Sequence, residues 1–333
     1  MRPTRPASHQ TLAPAARAAR LAAALVLGTV LAGCEPPPET TEADSGFRLV
    51  ANARSSRLDE VSGIQASARH PDVLWVHNDD GAPRVHAVGI DGADRGYFDI
   101  DDAVNVDWED MTRIPGPERD LLVLADIGDN EARRSNVWLY LVPEPDPGQD
   151  GRFAGEVEAL NWISLRYPDG PRDAESIAWD PLRGRLLILT KRDRPPRLYA
   201  LDGEVALTER EAALVYLGEV ESLRPPAAGD RDVFGNRLAF ISQPTGLDIS
   251  PDGSRAALIT YRSLYLFGRP ASGDWLDGLQ AQPLEILGPA RVNEEAVGFR
   301  IDGAGVWIST EGERPPLFEW RIISDRKDTT TTP

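Results

Sequence analysis

Between Phe47 and Ser324 the chain repeats one unit five times: a polar pair, a short apolar strand, a turn, a stronger apolar strand with a polar end, and a third strand. The first strands are Val-Ser-Gly-Ile (61–64), Trp-Glu-Asp-Met (108–111), Ala-Glu-Ser-Ile (174–177), Pro-Thr-Gly-Leu (244–247) and Glu-Glu-Ala-Val (294–297). Second strands run through Val73–Asn78, Leu121–Asp126, Leu186–Lys191, Ala256–Tyr261 and Gly305–Thr310. Third strands are Arg84–Ile90, Val137–Val142, Arg197–Leu201, Ser263–Phe267 and Leu317–Ile322. Asp-Gly, Pro-Asp and Gly-rich turns bound these runs, and helical periodicity is almost absent, so the class is all-β. The anchors Ile64, Met111, Ile177, Leu247 and Val297 lie 47, 66, 70 and 50 residues apart, a size that suits the three or four antiparallel strands of a propeller blade. Fourth strands are available near 96–100, 160–167, 213–218 and 284–287, while the fifth unit stops after its third strand. The expectation is a five-bladed β-propeller over 47–324, with Phe47–Ala53 supplying the missing strand and closing the ring. A sixth blade within Glu219–Ser242 is the alternative; that stretch lacks a paired second strand and reads as an insertion.

The flanks are of a different kind. Residues 1–33 hold Arg2, Arg5, Arg17 and Arg20 and no acid, then an apolar run from Leu21 to Ala32 that ends in Leu31-Ala32-Gly33-Cys34. A cationic start, an apolar stretch of about a dozen residues and small residues at its end make a secretory signal, and the run is too short to span a bilayer comfortably. Its last four residues resemble the lipobox of bacterial lipoproteins, which implies lipidation of Cys34, the chain's one cysteine. Glu35 in the next position implies, by the sorting rule for such lipoproteins, the periplasmic side of the outer membrane in a Gram-negative cell. Residues 34–46 (CEPPPETTEADSG) read as an acidic tether and 325–333 (DRKDTTTTP) as a polar tail. Loss of the leader takes the formal charge from −17 to −21. That balance excludes nucleic acid as the main partner, because like charges repel. A single cysteine also excludes a disulfide framework. Arginine carries nearly all the positive charge; Lys191 and Lys327 are the only lysines, a compositional bias from which no function follows. A monomer is expected.

Stacking the five units gives polar columns that a fold alone does not demand. One reads Ser62, Glu109, Glu175, Thr245 and Glu295; two residues earlier stand Glu60, Asp107, Asp173, Gln243 and Asn293. Alternation along a strand puts both columns on one face, and the first strand of a propeller blade lines the central channel. Carboxylates this close need protons or a cation. An all-oxygen set of carboxylates and hydroxyls in an exported protein suits calcium, so Ser62, Glu109, Glu175, Thr245 and Glu295 are the expected ligands. Strand-end capping by these acids is the bland alternative. The second strands end at the same mouth. Asn78, Asp79, Asp126, Asp129 and Glu311 gather acids there, and Lys191, Arg192 and Arg262 bring bases. Such a pairing describes a site for a metal–phosphate or metal–carboxylate ligand. Tight-turn chemistry alone is the alternative at these strand ends. There is no Gly-x-Ser-x-Gly elbow and no glycine-rich phosphate loop before a helix.

These residues resemble known families. Asn-Asp-Asp-Gly (78–81), Asp-Trp-Glu-Asp (107–110), Asp-Ile-Gly-Asp-Asn (126–130), Tyr-Pro-Asp-Gly with Asp-Ala-Glu-Ser (167–170, 173–176) and Ile-Ser-Pro-Asp-Gly (249–253) look like a group of exported bacterial propellers placed near the phytase-esterase-like propellers. More distantly, Ser62, Glu109, Glu175, Thr245 and Glu295 are similar to the Ser, Glu, Glu, Ser, Glu order of axial ligands in the calcium-activated nucleotidases (soluble apyrases), which are five-bladed. The first-blade acidic turn of that family would fall on residues 78–81 and its basic pair on Lys191-Arg192. The chain departs by lacking an arginine in that turn and most of the long inter-blade loops. Axial calcium is therefore better supported than nucleotide hydrolysis, since a shared fold does not carry an activity with it. Two functions stand side by side. One is a lipid-anchored, calcium-binding propeller that takes a small anionic ligand or a cell-envelope component. The other is a calcium-dependent phosphoester hydrolase in which Asp79, Asp126 and Asp129 orient a second ion or water.

Overall fold

The computed structural model describes residues 46–289 and 293–322. Each repeat becomes one antiparallel sheet. The innermost strands are Val61–Ala66, Trp108–Ile114, Ala174–Asp180, Pro244–Ile249 and Glu294–Phe299. Outside them lie Val73–Asn78, Leu121–Asp126, Arg185–Thr190, Arg255–Thr260 and Gly305–Thr310, then third strands beginning at Arg84, Val137, Arg197, Ser263 and Pro316. Four blades end in their own outer strand: Asp94–Ile100, Asn161–Arg166, Val215–Glu219 and Leu284–Leu287. In the fifth, Phe47–Asn52 pairs antiparallel with Pro316–Arg321. The fold is a five-bladed β-propeller whose ring is closed between its two ends. Two short strands, Glu156–Val157 and Glu211–Ala213, add in parallel to the outer edges of blades one and two. The stretch proposed as a sixth blade instead carries short helical turns, Ala228–Asp230, Arg231–Phe234 and Gly235–Ala239, and contributes no strand between Val220 and Gln243. The leader (1–33), the tether with Cys34 and the tail (325–333) lie outside the described residues, Gly46 apart. Among the described residues no helix is long and apolar enough to cross a membrane.

The hydrophobic pattern explains the ring. Blade sheets are apolar on both faces, so each must be covered twice, and only neighbours on either side can do that. Five separate apolar layers result, one at each junction: Val73, Trp75, Met111 and Leu124 between blades one and two; Leu139, Ile163, Ile177 and Ile188 between two and three; Leu187, Leu198, Leu247 and Leu258 between three and four; Ile259, Leu264, Val297 and Ile308 between four and five; and Ile64, Leu74, Ala296 and Trp307 between five and one.

An innermost strand has one edge without a strand partner, and its buried N–H and C=O groups still require partners. Side chains from neighbouring blades provide them. The Ser62 hydroxyl donates to the Glu109 carbonyl and Thr245 Oγ1 to the Glu294 carbonyl at 2.7 Å. Thr112 Oγ1 accepts from Trp179 N at 3.1 Å, and Asp248 Oδ2 from Phe299 N at 2.7 Å. Asp110 reaches furthest: Oδ2 accepts from Ile177 N (2.9 Å) and Leu247 N (3.2 Å), and Oδ1 from its neighbour Met111 N (2.8 Å). One buried carboxylate thus ties backbone from three blades at the axis.

Candidate functional site

Every innermost strand carries the same irregularity at the same place. The pairing register skips one residue between Val61 and Gly63, Trp108 and Asp110, Ala174 and Ser176, Pro244 and Gly246, and Glu294 and Ala296. The skipped residues are Ser62, Glu109, Glu175, Thr245 and Glu295, the whole predicted column. Each is the extra residue of a β-bulge, a device that bends a strand and re-aims a side chain. All five are buried, between 1% and 6% exposed.

Their carboxylates do not stand alone. Oxygens of Glu109, Asp173 and Glu175 lie within 4.8 Å of one another. Asp107 stands beside this group: it and Glu109 both approach Gly128 on the loop 126–130. A Cβ at Gly128 would fall 2.3 Å from Glu109 Oε1 and 2.5 Å from Asp107 Oδ2, so glycine is the residue that lets this loop pass. Burial and then Glu175 hold Glu109 well above the usual carboxylate range; burial and then Glu175 do the same to Glu295. Burial with Asp173 nearby pushes Asp107 up to about 6. Burial also pushes Glu175 up, to about 7, against the pull of Lys191.

Lys191 is the counterweight. Its ammonium donates to Glu175 Oε1 and, at 2.8 Å, to the Tyr261 hydroxyl. Glu175, Glu295 and Glu109 together hold its pKa up against desolvation. Arg192 Nε pairs with Asp173 Oδ2 at 2.5 Å, and Asp173 Oδ1 accepts from Asp129 N at 2.8 Å. Lys191 and Arg192 cannot offset Glu109, Glu175, Glu295, Asp107 and Asp173 all ionised, and this is why burial and mutual repulsion hold Glu109 and Glu295 toward their protonated forms. Glu175 Oε2 is buried without a hydrogen-bond partner, an expensive state for a carboxylate oxygen unless something occupies it.

The second-strand ends divide. Lys191, Arg192 and Glu311 line a pocket of about 390 Å³ at the mouth, together with Arg237, Phe240, Gln243, Tyr261, Asn293 and Glu295. Asp79 lies in a separate acidic group with Glu60 and Asp80; the Asp79 charge is the main reason Glu60 is pushed up to about 7. Asn78 is a turn brace, donating from Nδ2 to Arg57 O (2.8 Å) and Asp59 Oδ1 (3.1 Å). Asp126 and Asp129 do not face the mouth as a pair poised over water. Asp126 is fully buried and ion-paired with Arg134 at 2.6 Å, and Asp129 Oδ2 accepts from Arg134 N at 2.7 Å, so both stitch their own loop.

Arg262 corrects the expectation most sharply. It is completely buried, with Nη1 3.2 Å from Asp230 and Nη2 bonded to Glu285 (2.6 Å) and the Tyr265 hydroxyl (2.9 Å). Asp230 belongs to the insertion and is also held by Arg224 at 2.6 Å. A guanidinium so committed is not available to an anion; its work is to clamp the insertion to blade four. That insertion in turn brings Arg237 and Phe240 to the mouth, two residues with no motif to announce them. Asp107 and Asp173 were visible as a column, though not as partners of the axial set.

The chain is thus a five-bladed propeller with a buried, cation-poor carboxylate cluster at one end of its axis. No protein-family model matches it, and no curated protein does. Among solved structures it is similar to U3-55K, with 10% identity over 84% of this chain and 99% of that one and a TM-score of 0.42. It is also similar to the WD40 repeats of RRP9, with 10% identity, 85% and 98% coverage and a TM-score of 0.41. A chain of a nidogen/laminin complex gives 12% identity, 76% and 73% coverage and a TM-score of 0.38. At these levels nothing about the site is carried over.

Proposed function

We propose that this is an exported, lipid-anchored propeller that binds one calcium ion at the axial mouth and, with it, a small anionic ligand. The observation that carries the reading is the buried group of Glu109, Asp173 and Glu175, whose oxygens converge within 4.8 Å, together with the unpartnered Glu175 Oε2. The donors are all oxygen, which suits a hard cation of flexible coordination. A divalent ion would let the acids that Lys191 and Arg192 do not offset give up their protons. Glu109, Asp173 and Glu175 would hold the ion, with Glu295, which shares the Lys191 ammonium with Glu109 and Glu175, as a further ligand. Ser62 and Thr245 already donate to backbone carbonyls, so they support the bulges and are the weaker candidates. Resemblance to the soluble apyrases supports the metal and not their hydrolysis. Cys34 would fix the domain to the membrane through its lipid, on the outer-membrane side if the cell is Gram-negative.

The test is a melting curve of chelator-stripped protein with and without calcium, run beside the Glu175→Gln variant. Calcium is expected to raise the wild-type midpoint by several degrees and leave the variant unmoved. A midpoint indifferent to chelator and to calcium, in protein that retains no metal, sinks the site. Release of phosphate from generic phosphoesters in the same samples, lost in Glu109→Gln, would move the reading to the hydrolase.

A further inference from the structure

A second cleft opens against the mouth, of about 420 Å³, walled by Pro195, Pro196, Val220, Leu223, Pro225 and Pro226. Lys191 and Gln243 line both this cleft and the charged pocket, so the two spaces meet at that pair. Gln243 is only 7% exposed, and its Oε1 is buried without a hydrogen-bond partner. A buried amide oxygen with no donor is costly and marks a place where a donor belongs. On the charged side, Arg237 is exposed and donates to the neutral amide oxygen of Asn293, a bond that leaves its charge unneutralised. Arg192, also exposed, stands in the same pocket, with Nε on Asp173 and Nη2 on the Asn130 amide, so Arg237 is the freer of the two. One end of the combined space therefore favours an anion, and the other is mainly apolar, with Asp193, Arg194 and Glu221 among its lining residues.

We infer that the anion taken at the mouth is amphipathic, with its acidic group at Arg192 and Arg237 and an apolar ring in the proline-walled cleft. This rests on the reading that the mouth binds an anion with calcium, and it names the class of that anion. Four pyrrolidine rings give stiff walls with fixed φ and no N–H donors. Such walls pack flat rings well, the contact that proline-rich segments make with aromatic side chains elsewhere. The prolines themselves offer no donor to a ring edge, so a hydrocarbon ring packs against them without leaving a polar group unpaired. Its volume corresponds to roughly a dozen water-sized groups, more than one six-membered ring fills. Gln243, at the junction, is placed to accept from a donor on the linking atoms. Glu295 and Glu311 also line the charged pocket, so the anion enters after the cation has offset them.

Calorimetric titration of the purified full-length chain, saturated with calcium, tests this with matched probes: inorganic phosphate against phenyl phosphate, and acetate against benzoate. Burial of a ring is expected to make the aryl member of a pair roughly tenfold tighter or more. Pro225 and Pro226 are exposed, so a Pro225→Asp/Pro226→Asp variant keeps the fold while placing charge in the cleft. It is expected to erase the aryl advantage, read as the ratio of aryl to matched non-aryl affinity, while its two added negative charges weaken phosphate itself; Arg237→Ala weakens both members and keeps the ratio. Phosphate or acetate binding with no gain from the ring, or a gain that survives the double variant, overturns the inference and spares the mouth. No binding by any probe overturns the anion site itself, and this inference with it.

Discussion

Lys191 shows how much one side chain decides here. An ammonium is a compact point charge with three donors, and it fits among Glu175, Glu295 and Glu109 while reaching the Tyr261 hydroxyl. Removing it leaves buried carboxylates without their counter-ion, so Lys191→Met is expected to cost about 3 kcal/mol or more in chemical denaturation of the metal-free protein. Calcium should restore more stability to this variant than to wild type; equal effects would place the ion elsewhere. Acidity acts through the same acids. Glu175 and Asp107 titrate at about 7 and about 6 in the folded chain, above the ~4 of an unfolded chain. The folded state then binds more protons between these values, so this contribution to metal-free stability is full below pH ~4 and is lost as the pH rises through 6 to 7. The calcium-induced gain should accordingly be largest at pH 8 and shrink toward pH 5. His77 works with the opposite sign. Burial lowers it to about 4, so its contribution is full above ~6.5 and is lost as the pH falls toward 4. Burial lowers His86 to about 4 as well, so a histidine titration by NMR should find two rings with midpoints near 4, and a midpoint near 6.5 for every ring would contradict their burial. The sequence offered Lys191 as one of two lysines, which composition alone could not distinguish from bias. Arg262 was misplaced for a related reason: its position at a strand end was readable, but Asp230 and Glu285, its partners, come from an insertion and an outer strand that no local pattern connects to it.

At the level of elements, the recurrent bulge carries the design. Blade boundaries were legible because each repeat shows its own apolar runs and turns, and even the closing strand Phe47–Asn52 followed from counting the strands in the last unit. Alternation along a strand was also the basis for placing the column on the axis, yet the aiming is done by an extra residue that interrupts the pairing. A bulge has no sequence signature beyond its neighbours, so its fivefold recurrence appears only when register is known. Asp110 depends on the same geometry. Asp110→Ala would orphan the buried N–H groups of Met111, Ile177 and Leu247, each at roughly 1–3 kcal/mol. Urea denaturation should therefore show a loss of several kcal/mol, and a loss below 1 kcal/mol would mean that these groups find other partners. Deleting residues 47–53 should broaden the melting transition, because blade five then loses its outer strand and the ring its closure; an unchanged cooperative transition would show the ring closing without it.

At the scale of the molecule, the acidic balance has a location as well as a sum. Part of the acidic composition is gathered in a buried group around the propeller axis, where protons or a cation must offset what Lys191 and Arg192 do not. Neither the insertion's role as a wall of the mouth nor the apolar cleft beside it was legible, since both depend on how residues 220–243 fold back over blades three and four. Gly128→Ala gives a selective probe of the charge cluster: its Cβ would press on Glu109 and Asp107, so calcium affinity should fall by tenfold or more with the propeller intact by circular dichroism. The most direct measurement is calorimetric titration of calcium into chelator-stripped protein at pH 8, for wild type and for Glu109→Gln/Glu175→Gln. One ion per chain, abolished in the double variant, is the predicted result; no binding to wild type, or equal binding to both proteins, would contradict the axial calcium site.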